Sequence, residues 1–194
     1  PCCIGIPLSG RAPFVLDFAT SRVAQGKMRV AYNKGERVPE GYLIDPHGRP
    51  TTDPAVVVMP QPGSGGGLYG ALMTSGEHKG YGLPVACELL GGALTGSGTW
   101  HREPDALRAV VNGMFTVLIS PKALGTQEAF EREALAFVDW IGRGPVAPGV
   151  ESVMIAGDPE RRAREARERD GIEIDDGSWN EICTSAAKFG LKLS

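Results

Sequence analysis

The sequence predicts an α/β layered domain. Two observations carry that reading: short apolar runs of strand character alternate with stretches of helical periodicity, and no internal repeat or linker interrupts the alternation. With 194 residues, 42% hydrophobic and 22% charged, the chain has the composition of a globular protein of one or two domains. A net charge of -3 and a pI near 5.7 speak against a nucleic-acid or anionic-membrane partner, which would favour a basic surface. No apolar run approaches the ~20 residues of a membrane span, and no charged-then-apolar leader opens the chain. The expected setting is therefore the cytoplasm, with the four cysteines (Cys2, Cys3, Cys87, Cys183) reduced and no metal site, since neither they nor the histidines have ligand spacing.

Taken in order, residues 14–18 form the first strand. Residues 21–33 follow as a helix closed by Gly35, with Val23, Ala24, Met28 and Ala31 as its buried stripe. Prolines and glycines make 36–54 an ordered loop, and 55–59 reads as a short apolar strand. The glycine-rich run 60–76 has no assignable conformation. Residues 82–94 read as a helix with Pro84 in its first turn, where a missing N–H is tolerated. A strand is expected at 113–120, and a helix at 127–141 with Phe130, Ala134, Phe137 and Ile141 on one face. Residues 152–156 read as a strand leading into a helix capped by Asp158, with Pro159 at its first position and Gly171 at its end. The last helix, 178–189, opens on a Ser178-x-x-Glu181 capping box and closes at Gly190.

Three places could carry chemistry. Gly65 to Gly70 satisfies GxGxxG, but a dinucleotide fingerprint must follow a strand directly, and Pro60 and Pro62 intervene; the match reflects glycine content. Lys79, beside His78, stands just before the expected helix start, where free N–H groups and the helix dipole favour an anion; it could equally point to solvent. Thr20 or Ser21 could cap a helix, and Asp17 could accept from ribose hydroxyls or hold backbone amides. The N-terminus of the arginine-rich helix adds residues 157–160. No nucleophile–base pair or paired-carboxylate constellation stands out by spacing.

Taken together, "PFVLDFATSRVAQGK", "GYLIDPHGRPTTDP", "EHKGYGL" with "ELLGGALTGSG", and "GDPERRAREARERDGI" with "GSWNEIC" resemble the type 2 malate/L-lactate dehydrogenase family of NAD(P)-dependent 2-hydroxyacid oxidoreductases. "PCCIGIP" and "RVAYNKG" look nearest to its bacterial hydroxycarboxylate dehydrogenase branch. The resemblance implies a three-layer α/β/α domain with a mixed sheet, non-Rossmann and L-sulfolactate dehydrogenase-like, that binds NAD or NADP and a small 2-hydroxy/2-oxo acid and forms a homodimer. It implies cofactor contacts at Asp17, Phe18, Ala19, Thr20, Ser21, His78, Lys79, Asn112, Gly157, Asp158, Pro159 and Glu160. At the last turn the family's usual Pro-Gly-Glu is here Ala156-Gly157-Asp158. The family's catalytic histidine belongs to a region preceding the block matched by "PCCIGIP", and neither His47 nor His101 fits its motif. The expectation is thus that residues 1–194 are the cofactor-binding and C-terminal portion of a larger dehydrogenase, with no catalytic residue assigned within them. Alternative readings are a cyclic-imine reductase of the same family and a non-catalytic dinucleotide-binding fragment.

Overall fold

The computed structural model describes residues 1–60, 69–99, 101 and 112–192. It is a mixed α/β protein that divides into two compact units. The first comprises Pro1–Phe18, Leu90–Gly98 and Asn112–Gly171, and the second Ala19–Leu89, Thr99–Val111 and Ile172–Ser194.

The first unit opens on an antiparallel hairpin, β1 (Cys2–Leu8) and β2 (Arg11–Phe18), turning at Gly10 with φ 71°. Cys2 pairs with Phe18 and Ile6 with Phe14, and the register then slips by one residue before Leu8 meets Arg11. The slip falls across Ala12 and Pro13, where Pro13 has no N–H for the ladder. Helix α4 (Gln127–Gly142) forms as its periodicity predicts, with Phe130, Ala134 and Ile141 half-buried. Phe137 departs from that face: it is exposed and stacks on Trp140 at 6.0 Å. Helix α5 (Asp158–Asp170) starts from Gly157, whose φ of 98° suits glycine, and ends at Gly171. Asp158 is therefore the first helical residue rather than the cap.

The two further strands expected here do not form. Residues 113–120 and 152–156 form no helix and join no ladder among the described residues. Their apolar content gave them strand character, yet a strand exists only where a neighbouring edge accepts its backbone. At 152–156, Val15 N–H donates to the Ala156 carbonyl at 3.1 Å without extending into a ladder.

The second unit holds the hydrophobic core: Val23, Met28, Ala31, Val38, Leu43, Val56 and Val58 are buried together. Helix α1 (Gln25–Lys34) supplies Met28 and Ala31, and Gly35, at φ 68°, ends it as expected. It starts four residues later than predicted, so Ala24 lies outside it and is exposed. A three-stranded sheet packs beside it in the order β4 (Pro50–Thr51), β3 (Leu43–Ile44), β5 (Ala71–Leu72). The 36–54 loop thus contains a hairpin, turned by Asp45, whose carboxylate accepts from the N–H groups of His47 and Arg49 at 2.8 and 2.9 Å. Every described strand pair is antiparallel, so the parallel pairing of a mixed sheet does not occur among the described residues.

Residues 55–58 overturn their strand prediction and form a single helical turn, α2 (Ala55–Val58). Pro54 presets a helical φ of -66°, and the Asp53 carboxylate accepts from the Ala55 N–H at 3.0 Å, so a local cap outweighs three valines. Helix α3 (Glu77–Glu88) begins five residues before its predicted start, which places Pro84 in its interior and Lys79 in its first turn. A π-helical turn, Leu89–Ala93, comes next in the chain and, from Leu90, belongs to the first unit. The final helix, α6 (Asp176–Ala187), is capped by Asp175, which accepts from the Ser178 N–H at 2.9 Å and hydroxyl at 2.8 Å; Ser178 is thus the capped residue and not the cap. The Gly65–Leu68 part of the GxGxxG match lies outside the described residues.

Leu43 is fully buried at the centre of the sheet. Leu43→Ala is expected to destabilise the second unit by about 2–5 kcal/mol, the range for deleting a packed leucine side chain. Urea titration followed by circular dichroism would read it as a lower midpoint at unchanged slope.

Candidate functional site

The predicted site residues fall into two groups, one in each unit. The second unit carries Ala19, Thr20, Ser21, His78 and Lys79. Ser21 bridges antiparallel to Thr74. Arg22 N–H donates to the Met73 carbonyl at 2.7 Å, and Ser75 donates from both its N–H and its hydroxyl to the Thr20 carbonyl, each at 3.4 Å. Immediately after Ser75, Gly76 takes φ 71° and turns the chain into α3. His78 and Lys79 follow at once, both exposed in the first helical turn. Two sequence blocks more than fifty residues apart are thereby joined by backbone pairing.

That pairing also explains why α1 starts late. Residues 20–22 are held extended, and the Ser21 hydroxyl donates to the Val23 carbonyl at 2.8 Å instead of capping a helix. Arg22 reaches the Gly41 carbonyl at 3.2 Å and lies 5.6 Å over the Tyr42 ring, which ties the same segment to the loop leading into β3.

The first unit carries Asp17, Phe18, Asn112, Gly157, Asp158, Pro159 and Glu160. Strand β2 is bound to the residues on either side of the 157–160 turn: Val15 N–H to the Ala156 carbonyl at 3.1 Å, and Arg161 Nη1 to the Pro13 carbonyl at 3.1 Å. Further along β2 lie Asp17, exposed, and Phe18, half-buried. Among the described residues no hydrogen bond joins Asn112 to the strand or the turn. The adjacent Gly113 instead packs so closely on the π-helical turn that a Cβ there would meet the Gly91 carbonyl oxygen at 1.7 Å.

Beside the turn an open cleft of about 580 Å³ is lined by Arg11, Asp139, Arg143, Ile155, Asp158 and Arg161. Its charges are largely paired internally. Arg11 meets Asp139 at 2.7 Å, with both side chains about half exposed, a geometry worth little stability. Asp158 accepts from Arg161 and, through Oδ2, from the Ile155 N–H at 2.9 Å. Partial burial pushes its carboxyl up, but the Ile155 N–H and the Arg161 and Arg162 guanidiniums outweigh that and hold it below the usual aspartate value.

Arg161, just past the 157–160 candidates, is a residue that the sequence alone did not single out. Its i,i+3 spacing from Asp158 was the available signal. No group of His, Cys, Asp and Glu suited to hold a metal ion occurs among the described residues. His47 sits in the β3–β4 turn, and His101 is exposed.

Because the folded-state carboxyl of Asp158 is depressed, its contribution is present above the unfolded aspartate value of about 3.9 and is lost as pH falls through the folded value. Asp158→Asn should therefore cost about 1 kcal/mol at neutral pH, a figure held low because the pair is one-third exposed. Its stability gap to the wild type should close as the pH drops from about 5 toward 2. Thermal melts across that range would check it, and a gap independent of pH would refute the assignment.

The match to the family model described as malate/L-lactate dehydrogenase covers residues 1–183. Hydroxycarboxylate dehydrogenase B of Escherichia coli is 40% identical over 98% of this chain and 51% of its own length. Among solved structures, a candidate malate/lactate dehydrogenase from E. coli superposes with a TM-score of 0.83 at 38% identity, over 97% of this chain and 51% of its own. Sulfolactate dehydrogenase from Methanocaldococcus jannaschii follows at 0.64 and 29%, over 98% and 52%. The chain spans about half the length of the curated relatives it matches. With a family model matched along nearly all of its sequence, the chain belongs to the malate/L-lactate dehydrogenase family.

Proposed function

We propose that the protein is an oxidoreductase that passes a hydride between NAD or NADP and a 2-hydroxy acid/2-oxo acid pair, and that the residues described here form its cofactor side. The observation that carries this reading is the pairing of residues 20–22 with 73–75, which joins the "DFATS" and "HK" blocks. In this reading the whole enzyme is a three-layer, non-Rossmann α/β/α protein, a cytoplasmic homodimer. Membership of the family supports it, as does the superposition on sulfolactate dehydrogenase. No described helix is long and apolar enough to cross a membrane.

The residues fit a dinucleotide in three respects. The first N–H groups of α3, those of His78 and Lys79 among them, have no acceptor within the helix, and the exposed Lys79 ammonium adds a full positive charge beside them. Asp17, exposed near the end of β2, is free to accept from ribose hydroxyls. At the start of α5, Pro159 has no N–H and Asp158 donates its own to the Ile155 carbonyl, so Glu160 offers the first donor available to a ligand. A bound nicotinamide would supply the hydride acceptor or donor. The chain's own task in this half is to bind the dinucleotide, with α3 in the second unit suited to phosphate and Asp17 in the first suited to ribose. The proton of the alcohol is left to a base outside the residues described.

Lys79→Ala separates this reading from that of a surface charge. Loss of a charge-assisted hydrogen bond to phosphate, about 1.5–3 kcal/mol, should weaken NADH or NADPH binding roughly ten- to a hundredfold in the whole protein. Stability should change by no more than about 0.5 kcal/mol, as for an exposed side chain. Fluorescence titration of both nucleotides reads the effect, and equal dissociation constants in wild type and variant would refute the assignment of Lys79.

A further inference from the structure

We infer that Gly80 is a positioning residue of this cofactor site, the point at which the first turn of α3 is docked onto the strand pair that precedes it. The inference rests on the reading above that Lys79 meets a phosphate.

The geometry is specific to this glycine. Gly80 is buried, and a Cβ built on it would lie 1.3 Å from the Ser75 carbonyl oxygen and 2.4 Å from the Ser75 carbonyl carbon. No side chain can occupy that space without moving backbone. Ser75 itself is held by the Thr20 carbonyl, which accepts from its N–H and its hydroxyl. The helix backbone at Gly80 therefore rests directly on the carbonyl of a residue laddered to the "DFATS" block. Between them, Gly76 at φ 71° makes the turn, and the Gly80 N–H closes it by donating to the Gly76 carbonyl at 3.2 Å. Lys79 is the residue just before this contact, so the contact sets how far its ammonium and its N–H stand from Thr20 and Ser21. Gly82, two positions on in the same helix, meets nothing within 4 Å of a built Cβ. The closeness at Gly80 is thus a local feature and not a property of a glycine-rich helix.

A methyl at Gly80 forces the first turn of α3 away from Ser75. The same methyl at Gly82 enters open space and, by helix propensity, is tolerated. In the whole protein, Gly80→Ala should weaken NADH or NADPH binding about tenfold or more by misplacing Lys79. Gly82→Ala should stay within about twofold of wild type. The double variant Gly80→Ala/Lys79→Ala should bind no more than about twofold more weakly than Gly80→Ala alone, because both changes remove the same contact.

Fluorescence titration with NADH and NADPH, with thermal melts alongside, decides it. Gly80→Ala binding like Gly82→Ala overturns the inference, and so do additive effects in the double variant, since a general loosening of the fold would act independently of Lys79. If Gly80→Ala does not fold, Gly76→Ala takes its place: it strains the αL turn without filling the contact, and wild-type binding by that variant overturns the proposal equally. Weakening by Lys79→Ala with none by the glycine variants leaves the cofactor reading standing and removes only this inference. A wild-type protein that binds neither nucleotide removes both.

Discussion

The second unit depends on one short antiparallel contact, residues 20–22 against 73–75, anchored by the 2.7 Å bond from Arg22 to Met73. Because these residues are extended, α1 begins only at Gln25, and Val23 enters the core beside Met28 instead of sitting on a helix face. The other side of the contact runs through β5 back to Leu43, the most buried side chain of the described core cluster. Its far end delivers the chain into α3. Core, helix start and candidate site thus share one strand pair, and a change that broke it would disturb all three.

The first unit is organised by a different device. Its hairpin and the start of α5 are joined through backbone at Val15 and Ala156, and through a guanidinium that bonds a carbonyl on β2 and a carboxylate on α5 at once. An arginine suits that task, since its planar fork can serve two acceptors in fixed directions. Asp158 is correspondingly committed: one oxygen faces Arg161 and the other the Ile155 N–H. The aspartate's short side chain braces the turn from within. Its neighbours Pro159 and Glu160 remain exposed.

Glycine serves different ends at different positions. At Gly35 and Gly157 it takes a left-handed turn that ends or begins a helix, which spacing alone can suggest. At Gly70, Gly80 and Gly113 it permits backbone to lie against backbone, with a built Cβ meeting a carbonyl oxygen at 2.2, 1.3 and 1.7 Å. Nothing in the local sequence distinguishes these from the open Gly82, because the group that crowds each of them is brought there by the fold.

By itself the sequence determined the mixed α/β class, the family, α4 and α5, the glycine that closes α1, and the blocks that make up the candidate site. These rest on local signals: apolar periodicity, proline and glycine at helix ends, and word-like motifs that survive without knowledge of their neighbours. Tertiary structure decided the rest. The runs at 113–120 and 152–156 have strand composition but find no ladder among the described residues, and 55–58 follows its Asp-Pro cap into a helical turn. Strand pairing is a contact between distant segments, so an apolar run can state a preference for it but cannot supply the partner. The same limit held at the site. That Thr20 and Ser21 belong with Lys79 was given by resemblance. The hydrogen bonds that join them, and the glycine that lets the helix approach, became visible only when two segments some fifty residues apart were folded against each other.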